Sequence, residues 1–282
     1  MTSTTVEHQG RGRAPGGRLG RALRLGLAQG VVELKQFTRS REAVVFTMLF
    51  PVMLIVIFGS IFTWEIAPGI RFTQYFVTGM MAAGLMSVGF QSLAIQIPME
   101  RERGVLKRLR GTPMPPWVYF AGKVVMVATL TVTETTLLIV IATAFYGVSP
   151  PATVGHWWTL VWVSALGITA CTLSGIAFSS LARTGRSAPA VVTPIAIILQ
   201  FISGVFFVYT ELPGWMQQIA ALFPLKWMAQ GLRAAFLPDT FATVESAGSW
   251  ELGRVALVLG AWCVGGLLLC RFTFRWTSRG DG

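Results

Sequence analysis

The chain has 282 residues, 53% of them hydrophobic and only 12% charged, and a mean hydropathy of +0.62. A water-soluble domain usually carries about 25% charged residues, so a soluble globular fold is excluded and an all-α integral membrane protein is expected. The formal net charge of +11 does not read as a nucleic-acid footprint, because nearly all the basic residues border apolar runs, where anionic lipid headgroups are the simpler counter-charge. The three cysteines, Cys171, Cys263 and Cys270, lie inside apolar runs without C-x-x-C spacing. They read as packed thiols, with neither a disulfide framework nor a metal site indicated.

Residues 1–17 are polar and rich in Gly, Arg and Thr, without the apolar core of a signal peptide, and read as a disordered cytoplasmic tail. Over 18–41, apolar residues recur at Leu19, Leu23, Leu27, Val31, Leu34 and Phe37, with Arg18, Arg21, Arg24, Lys35 and Arg39 on other faces. That spacing predicts an amphipathic helix lying along the membrane interface, or else one packed on a partner. Residues 42–275 then read as the transmembrane domain. Its first span, 43–62, is uncharged over the length needed to cross about 30 Å of hydrocarbon, with Pro51 expected to kink it. A short loop leads to a second span, 74–97, whose Gly79, Gly84 and Gly89 allow close helix contact.

Seven charged side chains then crowd between Glu100 and Arg110. Met99 to Leu109 reads as one short helix, entered through Pro98 and ended by Gly111 and Pro113. Val105, Leu106 and Leu109 share its apolar side. Such an element is either a solvated surface or a docking site for a soluble partner.

The third span, 117–146, carries Glu134 near its middle, where a carboxylate costs about 2.5–3.5 kcal/mol on insertion scales and is a functional candidate by default. Glu134 either binds a cationic substrate group or accepts hydrogen bonds from Thr131, Thr133 or Thr135. The fourth span, 157–181, has Gly167, Cys171, Gly175 and Ser179 at four-residue spacing, a row against which another helix should pack. A basic turn at Arg183 and Arg186 precedes a fifth span, 188–209, and the sixth covers 253–270, followed by a cytoplasmic tail, 276–282. Between the last two spans, Pro213, Pro224 and Pro238 cut an aromatic-rich stretch into Gly214–Phe223 and Leu225–Leu237, too short to cross and too apolar for a plain loop. They read as a re-entrant helical hairpin. Nineteen Lys and Arg residues flank one membrane face and four the other, which by the positive-inside rule puts both termini and the charged helix in the cytoplasm.

Six spans, the run Glu100-Arg101-Glu102-Arg103-Gly104-Val105-Leu106-Lys107-Arg108-Leu109-Arg110-Gly111-Thr112-Pro113, and Ser203-Gly204-Val205-Phe206-Phe207 through Leu212-Pro213 to Phe223-Pro224-Leu225 together resemble the ABC-2 type ABC transporter permeases of the type V exporter fold. The likeness is strongest to the daunorubicin-resistance-like drug exporters, and it covers residues 30–275. It implies that the charged segment is a coupling helix docking into an ATPase subunit, with Glu100, Arg101, Glu102, Arg103, Val105, Leu106, Lys107, Arg108, Leu109 and Arg110 in the contact and the interfacial helix beside them. It implies an extracellular hairpin containing Trp215, Phe223, Pro224 and Trp227. It also implies two ATPase copies holding ATP and Mg, a second permease copy or sister permease, surrounding membrane lipids, and a bacterial inner-membrane location. The cargo class would be a lipophilic or amphipathic drug, antibiotic or lipid.

A phosphate-cradling G-x-x-x-x-G-K-[ST] loop is the usual signature of such an ATPase, and the one Gly-Lys pair here, Gly122-Lys123-Val124, lacks both the earlier Gly and the hydroxyl. No cofactor is therefore expected in this chain. An ion-coupled secondary transporter would want several intramembrane acids or repeated halves, and only Glu134 qualifies. A membrane enzyme would want a catalytic constellation, yet His8 and His156 have no partner at motif spacing.

Overall fold

Hydropathy sets the long elements and glycine or proline sets their ends. The computed structural model describes residues 15–112, 115–182 and 184–273, and the side chains of residues 15–23, Arg110 and Pro116 stand outside that description. The tails expected at 1–17 and 276–282 thus lie outside the described residues, except that 15–17 open the first helix, α1 (Pro15–Arg39). Ser40 then caps α2 (Arg41–Ile61), its Oγ accepting from the Ala43 amide at 3.4 Å. The disturbance expected at Pro51 takes the form of a π-helical turn over Val45–Leu49, just ahead of the ring. Where a bare loop was expected after it, a small hairpin forms, β1 (Glu65–Ala67) against β2 (Ile70–Arg71), turning at Gly69 with φ +75°.

The central element is α3 (Phe72–Glu102), the most buried of the long helices. At 1.5 Å per residue its 31 residues reach about 46 Å, well beyond the hydrocarbon core. Its glycines receive neighbours: Gly79 meets the Val205 backbone, Gly84 the Glu134 carboxyl group, and Gly89, inside a second π-helical turn, the Cys171 side chain. After a short α4 (Val105–Arg110) come α5 (Pro116–Tyr146) and α6 (Val154–Phe178). The small-residue row of α6 is filled as the spacing suggests, with Gly167 against Met228 and Gly175 against the Gly89 and Phe90 carbonyls.

The fifth expected span is the clearest departure. Helix α7 (Ala188–Ile202) has 15 residues, about 22 Å of rise, and stops seven residues short of the expected end at 209. The cause is Gly204, which adopts φ +73° beneath Tyr209 and the Tyr75 hydroxyl, a conformation glycine takes without the Cβ penalty. The Gly204 carbonyl released from the helix accepts instead from Arg233 Nη1 at 3.4 Å. Two shorter helices follow, α8 (Gly214–Ala221) and α9 (Pro224–Phe236), then the long α10 (Leu252–Thr273). Five helices among the described residues are long and apolar enough to cross a membrane: α2, α3, α5, α6 and α10.

The main core surrounds α3, where Phe76, Met80 and Leu85 pack with Leu138, Val163, Met228 and Leu232. A separate cluster at the far end of α3 joins Ile97 to Phe37, Leu106, Tyr119 and Met126, and a third at its start joins Tyr75 to Val208, Leu237 and Phe241. In lipid such packing rests on close fit rather than on escape from water.

Candidate docking surface and its buried support

Proline at 98 does not start a helix. Helix α3 runs through it, with Ile97 and Pro98 buried, and ends at Glu102. The chain then turns at Arg103 and Gly104, the latter at φ +70°, before α4 begins. The single rod expected from Met99 to Leu109 is therefore an elbow of two helices, because Gly104 admits a left-handed turn that a side chain would resist. Thr112 closes α4, its hydroxyl donating to the Leu109 carbonyl at 2.6 Å.

The expected contact residues divide by direction. Leu106 is fully buried in the cluster with Ile97 and Phe37, and Val105 and Leu109 are half-buried. Glu100 also points inward. Arg101 Nη1 donates to the Ser179 carbonyl at 3.4 Å, and the Glu102 carboxylate accepts from the Gly185 amide at 2.8 Å, so the elbow is tied to the turn after α6. Arg103, Lys107 and Arg108 remain exposed. Arg108 Nη2 lies 3.4 Å from the Arg103 carbonyl and braces the elbow. The Arg110 side chain lies outside the described residues.

Beneath this surface sits a charge network that sequence reasoning missed. Lys123, counted above as a flanking charge, is fully buried, its Nζ 2.8 Å from Glu33 and 2.5 Å from Glu100. Tyr119 donates its hydroxyl to the other Glu100 oxygen at 2.7 Å, and Gln29 donates to Glu33 at 3.1 Å. One lysine thereby joins α1, α3 and α5. The approach of α1 to α5 depends on missing side chains: Gly26 faces Ala121, Gly122 faces Gln29, and a Cβ on Gly30 would lie 2.5 Å from a Val125 methyl. The signal was a lysine inside an apolar helix, which demands a carboxylate from elsewhere.

That packing divides the apolar stripe of α1, Leu34 and Phe37 packing inward and the rest of its described residues facing out. Gly26, Gly30, Glu33 and Phe37 turn inward, while Leu27 and Val31 are about half exposed, at 57% and 48%.

Glu134 is 2% exposed, lies against Gly84, and its Oε1 has no hydrogen-bond partner. Thr133 donates to the Thr129 carbonyl instead, and the Thr131 hydroxyl is itself unpartnered. The structure therefore gives no support to threonines serving as its partners.

In the hairpin region, Trp215 is exposed, whereas Phe223 stacks on Trp262 at 6.0 Å and Pro224 opens α9. Trp227 is buried, donating to the Ala221 carbonyl at 2.8 Å. Behind it, Arg233 is fully buried against Glu245 at 2.6 Å, over the Tyr75 ring. Lys226 is buried beside Gln230 and over the Trp227 ring at 3.6 Å. Burial pulls the Lys226 amine down from the usual lysine range to about 8, against the opposing pull of Glu245.

A family model described as ABC-2 type transporter matches residues 30–237. Two curated proteins are similar: "Probable multidrug ABC transporter permease YbhR" of Escherichia coli K12 and its counterpart in Escherichia coli O157:H7, each 20% identical over 189 residues. Each alignment covers 67% of this chain and 50% of the relative, so the chain spans about half the length of the curated relatives it matches.

Proposed function

The chain belongs to the ABC-2 type transporter family, and on that premise we propose that it is the membrane permease subunit of an ATP-driven bacterial exporter for a lipophilic or amphipathic compound. The observation that carries this reading is the braced elbow: exposed Arg103, Lys107 and Arg108 sit on a short helix whose base is fastened by Lys123 to α1, α3 and α5. A push on that surface is transmitted into two membrane-spanning helices rather than absorbed by a mobile loop. The cations suit steering and charge-assisted hydrogen bonds to acidic groups on a partner.

The partner is a separate ATPase subunit, present in two copies and holding ATP and Mg, with a second permease copy or a sister permease completing the pathway. With the short α7 and residues 203–209 as a sixth crossing, both termini and the elbow face the cytoplasm of an inner membrane, in keeping with the charge asymmetry, and the α8–α9 hairpin faces the exterior. With Leu106 turned inward, the contact falls on Arg103, Lys107 and Arg108, flanked by Val105 and Leu109. Glu134 is the candidate for the substrate pathway. The test is co-purification with the ATPase: Arg103→Glu/Arg108→Glu should insert normally yet lose at least tenfold in retained ATPase and in substrate-stimulated hydrolysis. Full retention and full stimulation would overturn the assignment.

A further inference from the structure

A further cavity has neither Glu134 nor the exposed cations of the elbow in its lining. It is a groove of about 710 Å³ between α5, α6 and α10, lined by Phe120, Val124, Ala128, Leu173 and Leu267, with Arg271 at one end. That volume is in the range of small-molecule sites, about 300–1,000 Å³. The groove is built into the packing rather than left over from it. On one side, α5 is held to α1 by the glycine contacts and the Lys123 network. On the other, α10 is held to α6, with Gly266 against Leu173 and Cys270 Sγ donating to the Leu173 carbonyl at 3.0 Å. Helices α5 and α10, on either side of α6, are thus held by contacts other than with each other.

We propose that this groove binds an anionic glycerophospholipid, its acyl chain along α6 and its phosphate on Arg271. An apolar wall facing hydrocarbon takes an apolar occupant. Fit alone does not select among lipids, because their tails are as apolar as leucine. Charge does the selecting. Arg271 has no ion-pair partner among the described residues, and the sequence just beyond α10 adds Arg275 and Arg279 before its one acid, Asp281. A basic pocket between membrane helices at the headgroup level is suited to an anionic headgroup.

Native mass spectrometry tests this on the full chain reconstituted in phosphatidylcholine nanodiscs containing phosphatidylglycerol and then released into mild detergent. The wild type should retain phosphatidylglycerol in preference to phosphatidylcholine. Arg271→Gln should lower that preference about fivefold, the factor for about 1 kcal/mol per arginine near a membrane surface, and Arg271→Lys should keep most of it. Ala128→Trp, which fills the groove and leaves Arg271 in place, should release the retained lipid. Equal retention of the two lipids by the wild type, or an unchanged preference in Arg271→Gln, overturns the proposal. So does an Ala128→Trp chain that keeps its lipid but changes from dimer to monomer, which would assign the groove to a second copy. None of these readouts involves nucleotide, so their failure leaves the coupling assignment untouched.

Discussion

Replacing Lys123 by methionine removes the one cation between two carboxylates and keeps nearly the same shape. Its Nζ is 2.8 Å from a Glu33 oxygen and 2.5 Å from a Glu100 oxygen, so those two oxygens lie no more than about 5 Å apart, worth at least roughly 3 kcal/mol of repulsion at an effective dielectric of about 20. Breaking a buried pair by removing one partner costs about 3–5 kcal/mol. The lower end is expected here, because Glu100 keeps the Tyr119 hydroxyl and 16% of its side chain is exposed. The loss is electrostatic, so neutralising all three groups should recover it. Glu33→Gln/Lys123→Met/Glu100→Gln leaves no unpaired charge and should lie within about 1 kcal/mol of wild type. Equilibrium unfolding in mixed micelles, followed by tryptophan fluorescence, measures both variants. A Lys123→Met chain as stable as wild type, or a triple variant no better than the single, would refute the reasoning.

The elbow depends on Gly104, so Gly104→Val should strain its left-handed turn by about 1–2 kcal/mol and lower coupling of hydrolysis to export, while Gly104→Asn should be milder; equal coupling in both would remove the turn from the mechanism. Glu134→Gln should lower export of cationic cargo and spare neutral cargo, measured by uptake into inverted vesicles; equal rates for both classes would retire Glu134 as a pathway residue. Lys226, on α9 outside the membrane-spanning helices, has a folded value near 8 against 10.5 when free. The unfolded chain then binds more protons between those values, and stability should be flat below about pH 8 and rise from there to about 10.5. Lys226→Met should abolish that rise in unfolding titrations across the range, and a wild-type curve falling over it would contradict the assignment.

The spans were legible because hydrocarbon thickness imposes a length and a composition; α5 closes at Gly147 with φ +63°, a stop that the sequence reading did not name. Two boundaries misled for one reason. Pro98 read as a start and Gly204 as part of a span, yet the packed core around Ile97 carries the helix past the proline, and the Tyr75 and Tyr209 pocket draws the chain into a turn at the glycine. Such contacts come from residues remote in sequence.

Which side of a helix is buried was hardest to read. Apolar periodicity in α1 runs through Leu27 and Val31, which are exposed, and Leu34 and Phe37, which pack inward beside Gly26, Gly30 and Glu33. Lipid accepts the apolar stripe as readily as protein does, so small residues, which permit close approach, and charges, which need a partner, mark the contact face instead. Lys123, Lys226 and Arg233 all follow that rule: each was counted as a flanking charge, and each proves buried against a polar group or ring of another residue. Applied to Glu134, the same rule expects a donor from a neighbouring helix, but the side chain meets Gly84 and its Oε1 finds none. A buried acid left unpaired in this way does not hold helices together by ion pairing. This distinguishes Glu134 from the three buried cations, and the transport assay of Glu134→Gln, rather than a stability assay, is the one that tests it as a pathway residue.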